Sequence, residues 1–225
     1  MSFLAELSKS AVAKKAIMAV TGLILFGWIL GHMIGNLKIF QGPEKFNAYA
    51  EFLKEMGAPM LPESGALWIV RILLLVSVGL HIWAATTLTF MNRRARAVGY
   101  GSHHVVQADY AARTMRVSGY LIAVYILYHL MHFTFGNAHP AFDPASPYHN
   151  VVSGFQVAPV ALVYILANLL LGMHLYHGLW SLFQSLGWNY APYNAARRKF
   201  AIVFSIAITA GFVSIPVAVL LGIVR

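Results

Sequence analysis

Residues 27–37 read GWILGHMIGNL. Apart from Trp28, His32 and Asn36, every position in the stretch is apolar or glycine. Gly27, Gly31 and Gly35 recur at every fourth position, which puts them on one stripe of a helix. An ionisable ring, His32, stands among them. The apolar run around it covers approximately residues 16–37. That is enough to cross about 30 Å of hydrocarbon, which takes roughly 20 helical residues. Read as a membrane span, the stretch decides the fold class and makes His32 the residue to explain.

Composition agrees with a membrane class. Of 225 residues, 59% are hydrophobic and only 10% charged, against about 25% charged in a soluble domain. The formal charge is +9. Its basic residues lie between apolar runs and not on a soluble face, so membrane orientation explains them better than nucleic acid does. There is no cysteine, which excludes disulfides and cysteine-ligated iron–sulfur clusters in this chain. The first apolar run exceeds the roughly 7–15 residue core of a cleaved signal peptide, so it reads as a retained span. Residues 2–14 (SFLAELSKSAVAK) are expected as a short amphipathic lead-in.

Five segments are long enough to cross: about 16–37, 66–91, 117–137, 158–184 and 201–223. Long helix-type runs predict an all-α bundle, one transmembrane domain over 1–225, and exclude a barrel. Pro159 suits a helix start, and Pro216 is expected to kink the last span. The first–second loop is long enough for a surface helix over FNAYAEFLKEMG. No internal repeat is evident. Lys9, Lys14 and Lys15 precede the first span. Arg93, Arg94, Arg96, Arg113 and Arg116 lie between the second and third, and Arg197, Arg198 and Lys199 between the fourth and fifth. The third–fourth loop has no lysine or arginine, and Lys38, Lys45 and Lys54 are balanced by Glu44, Glu51, Glu55 and Glu63. The positive-inside bias then predicts a cytoplasmic N-terminus and an external C-terminus.

Six of the ten histidines fall inside the expected spans: His32, His81, His129, His132, His174 and His177. His103, His104, His139 and His149 fall in expected loops and are given no role. An intramembrane ionisable residue is a functional hypothesis by default, although a single one can serve merely as an interhelical hydrogen-bond partner. Here four consecutive spans carry histidine. At 1.5 Å per residue, His32 lies about 25 Å from Lys15 and His129 about 20 Å from Arg116, both in the outer half. His81 and His174 come about 21 and 22 Å after the outer ends of their spans, in the inner half. The result is two histidine levels, about 10–15 Å apart.

Two imidazoles facing each other from different helices suit bis-histidine ligation of haem b. Zinc prefers three or four ligands, often with cysteine or carboxylate, and these spans contain neither. The glycine stripe has two readings: small-xxx-small helix packing, or a face without bulky side chains beside a flat macrocycle. Asn36, one turn after His32, can reach a propionate or a neighbouring backbone. Arg71, near the outer end of the second span, suits the propionates of an outer haem. Arg113 and Arg116 suit those of an inner one, or serve only as positive-inside anchors. His129 and His132 are three apart, so both can face the same way.

Four stretches, TGLILFGWILGHMIGNL, LLLVSVGLHIWAATTL, RVSGYLIAVYILYHLMHF and GMHLYHGLWSLFQSLGWN, give the chain a family resemblance. It resembles the diheme cytochrome b membrane-anchor subunit, five-span single-chain type, of succinate dehydrogenase and fumarate reductase. The resemblance implies His129, ten residues after Gly119, and His174 as ligands. His32 with His129 would then hold an outer haem and His81 with His174 an inner one. It leaves His132 and His177 to propionate, quinone or neighbouring polar contacts, the last being favoured. It further implies flavoprotein and iron–sulfur partner subunits on the cytoplasmic side, electron transfer to membrane quinone (menaquinone in five-span members), a bacterial cytoplasmic-membrane location, and room for a higher oligomer of the whole complex. The alternatives are an anchor of another respiratory oxidoreductase (hydrogenase, formate dehydrogenase or nitrate reductase), or a non-haem membrane protein with structural histidines.

Overall fold

The computed structural model describes residues 10–95, 110–188 and 190–225. Lys9, Arg96, His103, His104 and most of the expected lead-in lie outside them, as does the side chain of Arg113. All regular structure among the described residues is helical. The helices are α1 (Ala11–Asn36), α2 (Pro43–Glu55), α3 (Gly65–Arg94), α4 (Tyr110–His129), α5 (Pro147–Gln156), α6 (Ala158–Ser185) and α7 (Asn194–Leu220). Five of them, α1, α3, α4, α6 and α7, are long and apolar enough to cross a membrane. They correspond to the five spans expected from the sequence, each extended by a few residues at one or both ends except at the end of the third and of the fifth.

Local sequence explains the helix starts. Ser10 caps α1 by accepting from the Ala13 N–H at 3.3 Å, satisfying one of the first-turn donors. Pro43, Pro147 and Pro159 sit in the first turns of α2, α5 and α6, where the missing N–H costs nothing. The expected surface helix is α2. Helix α5 is not anticipated by the sequence reading: ten residues led by the Ser146 cap, and they carry His149. Pro216 lies buried within α7.

Helix α1 packs along α3, α4 along α6, and α6 along α7. Where α7 approaches α1 and α6 the seams are tight. Gly211 faces Met33, and Gly172 faces Thr209. The short helices α2 and α5 pack together across one end of the bundle, joined by Asn47, which accepts from the Tyr148 N–H at 2.9 Å. A buried apolar cluster joins them to the long helices and includes Ile39, Phe46, Phe155, Tyr164 and Ile215. The other end carries Lys14, Arg93, Arg116 and Arg197. We call the two the capped end and the basic end.

Candidate functional site: two cross-helix histidine pairs

The histidines of the spans meet in twos. The ring centroids of His32 (α1) and His129 (α4) are 5.9 Å apart. Those of His81 (α3) and His174 (α6) are 6.4 Å apart. Neither the α1–α4 nor the α3–α6 pair is among the closely packed helix pairs. Each histidine couple therefore bridges from the α1–α3 unit to the α4–α6 unit. A metal held between two imidazole nitrogens at bonds of about 2 Å sets ring centroids roughly 6 Å apart. Among the described residues, no group of three or more His, Cys, Asp or Glu is placed to hold a metal ion.

The two couples lie at different heights. His81 touches α1 at Thr21 and Gly22, and His32 follows Gly22 by ten residues, about 15 Å along the helix. His174 touches α4 at Gly119, and His129 again follows by ten residues. The His81–His174 couple is thus nearer the basic end and the His32–His129 couple nearer the capped end.

Neighbouring side chains seat the rings. Trp28 stacks on His32 at 5.4 Å with 16° between planes, the i,i+4 contact of one helix face. Phe212 of α7 lies 5.9 Å from the same ring. A Cβ at Gly22 or Gly119 would stand 3.4 Å from Cε1 of His81 or His174, so each ring leans on a glycine of the adjacent helix. Nδ1 of His129 and of His174 is buried with no hydrogen-bond partner, whereas Nδ1 of His81 lies 3.1 Å from the Thr21 hydroxyl. Sequence reading missed Thr21. The signal was there as a doublet, Thr21-Gly22 and Ser118-Gly119, each ten residues ahead of a histidine at the other level.

His129 and His132 both pack against Tyr164 and Phe133, and His129 is the one that meets His32. A π turn over Leu130–Thr134 follows α4, closed by the Phe135 N–H to the Leu130 carbonyl at 2.8 Å. His132 is fully buried among Tyr128, Tyr164 and His139. Its Nδ1 lies 3.0 Å from the Tyr164 hydroxyl. His139, given no role from sequence, is buried too. Its Nδ1 accepts from the Ala141 N–H and its Nε2 donates to the Asn150 carbonyl, so both nitrogens are committed to the loop.

The remaining expected residues spread out. Asn36 ends α1 one turn beyond His32. Arg71 is exposed and stacks over Trp68 at 5.0 Å. Arg116 lines a cleft of about 320 Å³ at the basic end with Thr86, Thr89, Arg93 and Tyr120. His177 lies one turn past His174 on α6, and its ring is not the one against His81. Lys14, read as a basic flank, is buried beneath α3, with Nζ 3.2 Å from Met91 Sδ and 5.8 Å from the centre of the Trp83 ring.

Residues 110–214 match the family model for the succinate dehydrogenase/fumarate reductase transmembrane subunit. The match runs from the first residue of α4 into the last turns of α7 and takes in one member of each histidine couple, His129 and His174. His32 and His81 lie N-terminal to it. No curated protein and no solved structure gives a match. With five membrane-length apolar helices, the chain is a multi-pass membrane protein whose C-terminal half is similar to that transmembrane subunit.

Proposed function

We propose that the chain is the diheme cytochrome b anchor of a succinate:quinone oxidoreductase. One observation carries the reading: two histidine couples, 5.9 and 6.4 Å between centroids, set at two heights across the same pair of helix units. The residues present fit a b haem at each level. Each couple offers one imidazole from either side, at the spacing of a shared metal, and neither level supplies the extra ligands that zinc would need. When bound, each haem supplies a one-electron carrier whose potential the axial ligands and their surroundings tune.

The chain's own residues do the rest. His32 and His129 hold the position nearer the capped end, and His81 and His174 the position nearer the basic end. A vertical offset of about 15 Å suits stepwise electron transfer across the bilayer. The basic end takes the cytoplasmic side and offers Arg93, Arg116, Arg197 and Arg198 to an iron–sulfur subunit that is fed by a flavoprotein. Electrons leave to a membrane quinone, menaquinone in this reading, and the complex sits in a bacterial cytoplasmic membrane. Arg116, beside Arg93 and Tyr120, is placed for an anionic group near the lower haem.

A reduced-minus-oxidised spectrum of the purified protein, expressed with haem supplied, tests the proposal. Two b-type components are expected, with succinate-oxidising subunits co-purifying from the native membrane. A protein free of b haem would refute the cytochrome reading. A b-type protein that co-purifies with a hydrogenase, formate dehydrogenase or nitrate reductase would move it to another respiratory complex.

A further inference from the structure

The four paired histidines are not held alike. Thr21 donates its single hydroxyl proton to the Ile17 carbonyl at 2.7 Å, the usual back-bond of a helical threonine. Its oxygen lies 3.1 Å from Nδ1 of His81. With that proton committed, the hydroxyl can only accept, so the proton between them sits on Nδ1. The Met18 carbonyl, 3.3 Å from the Thr21 hydroxyl, is a second acceptor for the same proton. Nδ1 of His81 is therefore the protonated nitrogen, and Nε2 keeps its lone pair for a metal. The hydrogen bond made by one ring nitrogen fixes which nitrogen is free to ligate.

The equivalent position on the other helix unit does not do this. Ser118, like Thr21, directly precedes the glycine on which the partner histidine leans. Its hydroxyl turns to the Met115 carbonyl at 3.0 Å, and Nδ1 of His174 remains buried without a partner. Nδ1 of His129 has none either.

We propose that Thr21 is a positioning residue for His81: by accepting the Nδ1 proton it fixes the tautomer and orientation of one imidazole and raises its basicity as an axial ligand. The inference rests on the haem reading above. Outer-shell bonds of this kind orient the ligand and strengthen its donation, so the ferric state at the His81–His174 level is stabilised on one side.

The test uses the full chain with haem bound and redox titration of each b component. Thr21→Val removes the hydroxyl and keeps the branched shape. The potential of one component should rise, by a shift on the order of tenfold in ferric over ferrous preference, about 59 mV for one electron. That component should be the one that His81→Ala abolishes, and Thr21→Ser should restore the wild-type value. Ser118→Ala should move neither potential. Unchanged potentials in Thr21→Val, a shift in the component that His32→Ala removes, or an equal shift in Ser118→Ala would overturn the proposal. If Thr21→Val loses the component outright, Thr21→Ser decides: wild-type potential supports the bond, and loss there as well assigns Thr21 to packing and overturns it. Wild-type protein without b haem would instead sink the functional reading, and this inference with it.

Discussion

Nδ1 of His132 and the hydroxyl of Tyr164 stand 3.0 Å apart in a buried setting, and the His129 ring lies 5.9 Å from the same tyrosine. The contact makes His132 a structural histidine tying α4 to α6, and it leaves His129 alone to face His32. Nε2 of His132 already has no partner, so Nδ1 carries all of the ring's polar satisfaction. Tyr164→Phe removes it and leaves a buried imidazole unpaired, which costs about 1–3 kcal/mol. A lower thermal midpoint in detergent is expected, with both b components retained. Loss of a component would place Tyr164 in the haem site.

The pairing of the four ligand histidines gives a sharper outcome. His32→Ala and His129→Ala should each abolish the same b component, and His81→Ala and His174→Ala the other. His132→Ala and His177→Ala should leave two components. Low-temperature optical spectra of the six variants check this. If His32→Ala and His81→Ala remove the same component, the couples seen as ring contacts are not the ligand couples.

How far the sequence could be read follows from what each feature depends on. The five spans were legible because length and hydropathy alone define them. The two histidine levels were legible because consecutive spans alternate direction, so helical rise converts a residue number into depth. What was not legible depends on a few local hydrogen bonds. Nothing in YHLMHF announces a π turn, yet that turn follows His129 and carries His132. Helix α5 is too short and too polar to stand out, although Ser146-Pro147 is a recognisable helix start. Lys14 looked like a flank charge, but the thioether of Met91 and the ring of Trp83 cover it, as a long stem beneath a neighbouring helix allows.

The opening glycine stripe divides. A Cβ on Gly35 would stand 2.9 Å from the Tyr49 hydroxyl, whereas one on Gly27 or Gly31 meets nothing within 4 Å. Helix packing within this chain therefore accounts for Gly35 and not for the other two. Gly35→Ala should lower stability by about 1–3 kcal/mol through overpacking against α2. Gly27→Ala and Gly31→Ala should leave the polypeptide's stability unchanged or slightly raised, since alanine is the better helix former. Thermal unfolding of the haem-free protein in detergent separates the two classes. A Gly31→Ala variant as damaged as Gly35→Ala would contradict the geometry.

Gly154 on α5 makes a second close approach at the capped end. A Cβ there would lie 2.9 Å from Cε1 of His132 and 2.9 Å from Nε2 of His139. Neither ring can give way. His139 is held through both nitrogens, to Ala141 and Asn150, and His132 is stacked between Tyr128 and His139 and bonded to Tyr164. The methyl of Gly154→Ala must therefore displace α5 itself, and α5 carries Asn150, whose amide donates to the Asp143 carbonyl and whose side-chain oxygen accepts from the Asp143 N–H. A loss of about 1–3 kcal/mol is expected, concentrated in the loop and α5 and not in the spans. Hydrogen exchange should rise across residues 136–156, with the His32–His129 spectral component retained. Unchanged protection in that segment would show that the two rings have room to move.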